Sequence, residues 1–100
     1  MFVNRVLHLA DEATGDVKVQ ASNGIVLVSY NNAAGTNYSA VFSLYNNAGT
    51  PTSVLTAGNG NNFSITEDTD AKINVFWDTD QIKVQNHSGA ELEIEVKVFA

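Results

Sequence analysis

The chain has 100 residues and a formal net charge of −6, which predicts one domain (residues 1–100) and excludes nucleic acid as a partner. Apolar residues make up 44% of it and cysteine is absent, so a core without disulfides is expected, as in a protein that folds in the cytoplasm. No segment has the roughly 20 apolar residues of a membrane helix, and no basic leader precedes an apolar run, so membrane insertion and secretion are not expected.

Alternation of apolar and polar residues predicts β-strands along most of the chain, beginning with Phe2–Leu9. A loop over residues 10–15 precedes a second strand at residues 16–21. Asn23 and Gly24 then lead into a third strand at residues 25–30. Because Asn-Gly between two alternating segments is a strong signal for a tight hairpin, the sequence predicts that the second and third strands pair.

The rest of the chain continues this pattern. Strands are predicted at residues 37–45, 52–56, 61–66, 71–77, 81–86 and 91–98. In the strand at 61–66, Phe63 and Ile65 are expected to face inward. The last strand alternates charged and apolar side chains, so we expect Lys83 of the preceding strand to pair with one of its glutamates. The same charges are expected to protect a sheet edge.

Short strands at regular spacing, with no helical period, predict an all-β fold. The expected architecture is a single antiparallel two-layer β-sandwich of about eight strands, Ig-like or jelly-roll. A small closed barrel is the alternative.

Two pairs of aspartates are candidates for calcium ligands, because calcium binds clusters of oxygen atoms. The pairs are Asp68 with Asp70 and Asp78 with Asp80. The predicted strand between the pairs spans about 23 Å, so they cannot share an ion, and each pair alone supplies too few ligands. The sequence therefore predicts solvated turn aspartates and no metal or other cofactor.

Catalytic residues are not evident in the sequence. The chain has two histidines, His8 and His87, and no cysteine nucleophile. Ser88 follows His87, but neighbours in a turn do not provide the geometry of a catalytic triad. A protein without enzymatic activity is expected.

Several predicted strands carry apolar side chains on both faces, which a domain of this size cannot bury entirely. Either a loop of the chain or another protein must cover the second face, and such a surface marks an interaction site. The residues expected to form this interface are Ile25, Val26, Val28, Tyr30, Val41, Tyr45, Phe76 and Phe99.

Residues 81–89, followed by the alternating strand at 91–98, resemble the closing hairpin of small β-sandwich proteins on tailed-bacteriophage virions. In those proteins a strand enters an Asn-x-Ser-Gly turn, here residues 86–89, and a charged alternating strand ends the chain. The resemblance implies a structural virion protein, a capsid decoration (cement) or related head protein, which binds the major capsid protein or another virion protein by surface complementarity. It also implies a homo-oligomer, with a trimer favoured, that is made in the host cytoplasm and located in the virion.

Two other functions stay open on the sequence. A carbohydrate-binding module or lectin, assisted by calcium at one aspartate pair, would use aromatic residues near polar loops, such as Tyr30, Tyr38 and Tyr45. An adaptor or inhibitor would present the acidic surface to a basic partner.

Overall fold

The computed structural model describes residues 2–20, 23–78 and 81–100, and the strands named here lie within them. They are β1 (Phe2–Leu9), β2 (Thr14–Gln20), β3 (Gly24–Asn31), β4 (Asn37–Asn47), β5 (Thr50–Ala57), β6 (Phe63–Ser64), β7 (Ile73–Asp78), β8 (Gln81–Asn86) and β9 (Leu92–Phe99). Sheet A has the strand order β1-β9-β3-β4-β5, and sheet B has the order β2-β8-β7-β6. The described part of the chain contains no helix that is long and apolar enough to cross a membrane.

The core lies between the two sheets, because alternate side chains of each strand point into the space that they enclose. Its fully buried side chains come from both sheets: Val26, Val28, Phe42, Ile94, Val96 and Val98 from sheet A, and Val17, Phe63, Ile73, Val75, Ile82 and Val84 from sheet B. The predicted β-sandwich is therefore confirmed, and the barrel is not formed, since the strands divide into two sheets. The order is not that of an immunoglobulin constant domain, because the first strand pairs with the last.

The predicted hairpin around Asn23 and Gly24 is wrong. β2 pairs with β8 in sheet B, whereas β3 pairs with β4 and β9 in sheet A, so the chain crosses between the sheets here. Gly24 is needed for a different reason. It has a φ of +150°, and a Cβ atom at this position would lie 2.5 Å from the carbonyl oxygen of Phe99. The glycine thus allows β3 to start close to the end of β9.

The predicted pairing of the last two strands is also wrong. β8 belongs to sheet B and β9 to sheet A, so the turn between them again joins the two sheets. β9 lies between β1 and β3 and is no edge strand. Lys83 accordingly does not reach the glutamates of β9; its Nζ lies 3.0 Å from Oδ2 of Asp16 on β2.

The strand predicted at residues 61–66 is reduced to the two residues of β6, which run parallel to β7. Phe63 faces inward as predicted, but Ile65 does not and is 42% exposed. The reason is topological, because two parallel neighbours cannot be joined by a tight turn. After Ser64 the chain must leave the sheet and return to the level of Phe63, where Ile73 begins β7.

The ion pair between Lys83 and Asp16 predicts a pH dependence of stability. The hydrogen bond from Lys83, helped by the backbone N–H of Lys18, lowers the pKa of Asp16 below its usual 3.8. A carboxylate with a lowered pKa stabilises the fold above pH ~3.8, and this stabilisation is lost as the pH falls through the folded-state pKa. Lys83→Met should therefore lower Tm near pH 6, and the Tm difference from the unchanged protein should shrink towards pH 2. A difference that is constant with pH would contradict the assignment.

Candidate interaction surface

The outer face of sheet B is covered by the chain itself. Residues 65–72, here called the cover segment, connect β6 to β7 and lie across this face. The backbone N–H of Asp68 donates to Oε1 of Gln85 (2.7 Å), and Nε2 of Gln85 donates to Oδ1 of Asp68 (2.8 Å). Asn74 donates through Nδ2 to the carbonyl oxygen of Thr69 (3.1 Å). Gln85 and Asn74 are buried under the segment, so the amide of Gln85 and Nδ2 of Asn74 are paired with it instead of with water, whereas Oδ1 of Asn74 has no partner among the described residues.

Phe76, on the same outer face, is also largely buried by the chain itself. Phe76 shares the outer face of sheet B with the polar residue Asn74, as the alternation of residues along the strand predicts. It is only 8% exposed, and it lines a shallow pocket of about 290 Å³ together with Ile65 and Trp77. Residues of the chain itself, Ile65 of the cover segment among them, therefore surround Phe76, and its role at an interface stays a prediction.

No segment in the described part of the chain is seen to cover sheet A in this way, and the outer face of sheet A carries most of the exposed apolar side chains. Among the described residues, seven large apolar side chains are exposed, and all but Ile65 belong to strands of sheet A. These six are Phe2, Val6, Ile25, Tyr45, Val54 and Phe99. They alternate along their strands with residues that point into the core, which places them on the outer face.

Register places several of these side chains in one row. Phe2 lies opposite Phe99, and Phe99 lies opposite Ile25. The row continues through Ser43 of β4 to Val54 of β5. It crosses the whole of sheet A, a distance of roughly 20 Å at about 4.8 Å between strands. Here Phe2, Phe99, Ile25 and Val54, with Tyr45 in the adjacent row, are called the apolar stripe.

The stripe is packed and largely free of unpaired polar groups. The rings of Phe2 and Phe99 contact each other with centroids 4.9 Å apart. The hydroxyl of Ser43, the polar member of the row, lies 2.6 Å from the hydroxyl of Thr56. Covering the stripe would therefore bury hydrocarbon without leaving this hydroxyl unpaired.

The predicted interface residues divide between this face and the core. Ile25, Tyr45 and Phe99 belong to the apolar stripe, and Val41 is half-buried in the neighbouring row of the same face.

The remaining members in sheet A are buried within the chain. Val26 and Val28 are 0% exposed and Tyr30 is 8% exposed, because their parity on β3 turns them into the core. Burial also raises the pKa of Tyr30. Sequence reasoning missed Phe2 and Val54, since only the strand register shows that they lie in line with Phe99 and Ile25.

The other end of the same face is polar. A trough of about 450 Å³, here called the acidic trough, is lined by Val6, Ser29, Tyr30, Asn31, Asn37, Glu93 and Glu95. Glu95 has Nζ of Lys97 at 3.2 Å. The carboxylate of Glu93 is 66% exposed and has Nδ1 of His8 at 3.8 Å, an ion pair only when the histidine is protonated.

The edges on one side of the sandwich are protected against strand addition. Arg5 of the edge strand β1 lies on the same side of the strand as the inward residues Val3 and Leu7, yet it is exposed. A charged residue at such a position on an edge strand opposes pairing with another chain. β2 is irregular between Asp16 and Gln20, and Lys18 has a φ of 59°. The sheet face is therefore better suited to a partner than these edges are.

Of the aspartates considered for calcium, Asp68 and Asp70 contact other side chains, and Asp78 lies apart from them. Oδ1 of Asp68 accepts from Gln85, and Oδ1 of Asp70 lies 2.9 Å from Nδ1 of His87. Asp78 ends β7 at the other end of the strand, and Asp80 lies outside the described residues. Among the residues that are described, no group of three or more His, Cys, Asp or Glu side chains could hold a metal ion.

A comparison with protein-family models found no match for this chain. A comparison with curated proteins found no relative either. Among solved structures, the chain is similar to the tailspike protein of Acinetobacter phage vB_ApiP_P1, with a TM-score of 0.47, 13% sequence identity and 98% of this chain covered. The chain spans 21% of the length of that tailspike chain. A similarity this low carries no information on function, and the outer face of sheet A is the feature that points to one.

Proposed function

We propose that this domain is a structural, non-enzymatic virion protein, a capsid decoration or cement protein, that binds the capsid shell through the apolar stripe. The observation that carries the proposal is the concentration of exposed apolar side chains on one face of sheet A, while the chain covers the other sheet itself. The virion location rests on the sequence pattern of residues 81–98, which resembles that of small β-sandwich proteins on phage virions, although β8 and β9 form no hairpin. The partner is the major capsid protein or another virion protein.

The size of the stripe supports a docking role. Phe2, Tyr45 and Phe99 are 56%, 41% and 48% exposed. At about 200 Å² for each aromatic side chain, they present roughly 300 Å² of surface. Apolar patches of roughly 300–600 Å² are the largest on typical monomers and are often functional. A specific interface buries at least about 500 Å² of accessible surface on each partner. The stripe therefore supplies much of the area that this chain would contribute.

The proposal is tested by placing a charge in the stripe. Ile25→Glu should weaken binding to purified heads of the phage that encodes the chain by at least about tenfold, because the carboxylate would be desolvated on docking. Binding is measured by cosedimentation over a range of protein concentrations. Ile65→Glu is the matched control, since Ile65 is similarly exposed (42% against 48%) but lies at the start of the cover segment.

Both variants should keep Tm close to that of the unchanged protein, because both sites face solvent. Equal loss of binding in the two variants, or no binding by the unchanged chain, would contradict docking through the stripe.

A homo-oligomer, with a trimer favoured, is part of the same proposal. Its test is the solution mass from light scattering, and a monomer at concentrations that saturate the shell would exclude it.

A carbohydrate-binding module is the second candidate, and the acidic trough is the observation that favours it. Carboxylates and amides such as Glu93, Asn31 and Asn37 hydrogen-bond well to hydroxyl groups. The aromatic residues named for this role do not support it equally, because Tyr30 is buried and stacks on Tyr38 at 5.2 Å. Retention on a glycan array that is lost in Asn31→Ala would favour this candidate over shell binding.

A further inference from the structure

We propose that the partner of sheet A presents an apolar ridge together with a basic side chain, and that this side chain enters the acidic trough and contacts Glu93. The inference rests on the proposed docking through the apolar stripe and specifies the chemistry of the partner. The stripe determines where hydrocarbon is buried, and the trough determines the orientation of the partner on the sheet.

The two features lie on one strand and one face, so a single partner surface can reach both. Glu93, Glu95, Lys97 and Phe99 alternate with the core residues of β9 and therefore share its outer side. At about 3.4 Å per residue, Glu93 lies roughly 20 Å from Phe99 along the strand. The basic group of the partner must have this separation from its apolar ridge.

The charges of the trough favour a cation. Lys97 offsets Glu95 at 3.2 Å, whereas Glu93 has Nδ1 of His8 at 3.8 Å, outside the residues that line the trough. An arginine or lysine entering beside Val6 would meet a carboxylate that is exposed and weakly compensated. A second copy of this chain is a poorer occupant, because each copy has a net charge of −6 and brings the same carboxylates. This face therefore serves the shell and not contacts between copies.

The probe is a synthetic peptide of sequence RGSGSGFL with blocked ends. When extended, it places an arginine about 20 Å from an apolar pair. Its matched partner has citrulline in place of arginine, which keeps the shape and removes the charge. Binding to the uniformly ¹⁵N-labelled protein is followed by backbone amide chemical shifts, up to a few millimolar peptide. We expect shift changes at Phe99, Ile25 and Glu93, and a citrulline peptide that binds about threefold more weakly.

Two charge variants locate the effect. Glu93→Gln should remove the difference between the two peptides. Glu67→Gln, an equal change of charge at an exposed residue of the cover segment, should keep it. Added salt should reduce the difference in the unchanged protein.

The inference is overturned if the two peptides bind equally, if the shift changes lie elsewhere, or if no shift occurs. These outcomes are independent of the shell assay. A chain that binds heads through Ile25 but does not discriminate the peptides would retain its proposed function and lose the basic partner. A chain that discriminates between the peptides but does not bind heads would keep the preference for a basic partner and lose its proposed function.

Discussion

Phe63→Ala is expected to lower the free energy of unfolding by about 3–5 kcal/mol, a large share of the stability of a domain of this size. Phe63 is 2% exposed, and it joins the sheets through edge-to-face contacts with Tyr30 (5.8 Å) and Phe42 (6.3 Å) of sheet A. β6 has two residues, so few other contacts can hold this part of sheet B when the ring is removed. Chemical denaturation followed by tryptophan fluorescence measures the change.

Ile65→Ala is the matched control for Phe63→Ala. Both residues have the same strand parity and were expected to face inward, but Ile65 is 42% exposed in the structure. Its truncation should change the free energy of unfolding by no more than about 0.5 kcal/mol. Comparable losses in the two variants would show that Ile65 is buried and that β6 is longer than two residues.

Asn86→Ala is expected to cost about 3 kcal/mol and to lower Tm by roughly 12–24 °C. Asn86 is 0% exposed and ends β8. Its Nδ2 donates to the carbonyl oxygens of Leu9 (2.9 Å) and Ala90 (2.7 Å), and its Oδ1 accepts from the backbone N–H of Ser88 (3.1 Å). One amide therefore connects the end of β1, the end of β8 and the turn into β9. Alanine would remove the buried hydrogen bond to the carbonyl oxygen of Leu9 and both bonds to the turn.

Asn32→Ala is the control for Asn86→Ala, because it separates the effect of burial on stability from the effect of the number of hydrogen bonds lost. Oδ1 of Asn32 also accepts from two backbone groups, the N–H of Ala34 (3.0 Å) and of Thr36 (2.9 Å), but in an exposed turn. Water can replace these bonds, so the cost should be about 1 kcal/mol or less. Thermal unfolding of both variants gives the comparison. A similar Tm for Asn86→Ala and the unchanged protein would exclude the role of Asn86 as a connector.

The contrast between Phe76 and Phe99 shows why a surface could be expected from the sequence but not located. Both are apolar residues on a face shared with charged or polar neighbours, and both were expected at an interface. Phe76 is 8% exposed beside the cover segment, whereas Phe99 is 48% exposed on sheet A. Which face is covered depends on the path of residues 65–72, and no local pattern specifies that path.

Sequence alone determined the all-β class, most strands and most inward positions, because alternation with a period of two is a local property of each strand. Ile94, Val96 and Val98 of β9 are buried as their alternation predicts. The tertiary structure decided which strands pair. The links that enter β3 at Asn23-Gly24 and β9 after residues 86–89 each join two sheets instead of two neighbouring strands.

A turn of this kind has the same residue preferences whether the next strand pairs with the last one or packs across the core. The choice depends on contacts between residues far apart in the sequence, such as Phe2 with Phe99 and Asp16 with Lys83. The apolar stripe is a product of those distant pairings, because its members come from β1, β3, β4, β5 and β9. It therefore exists only after the strand order is established.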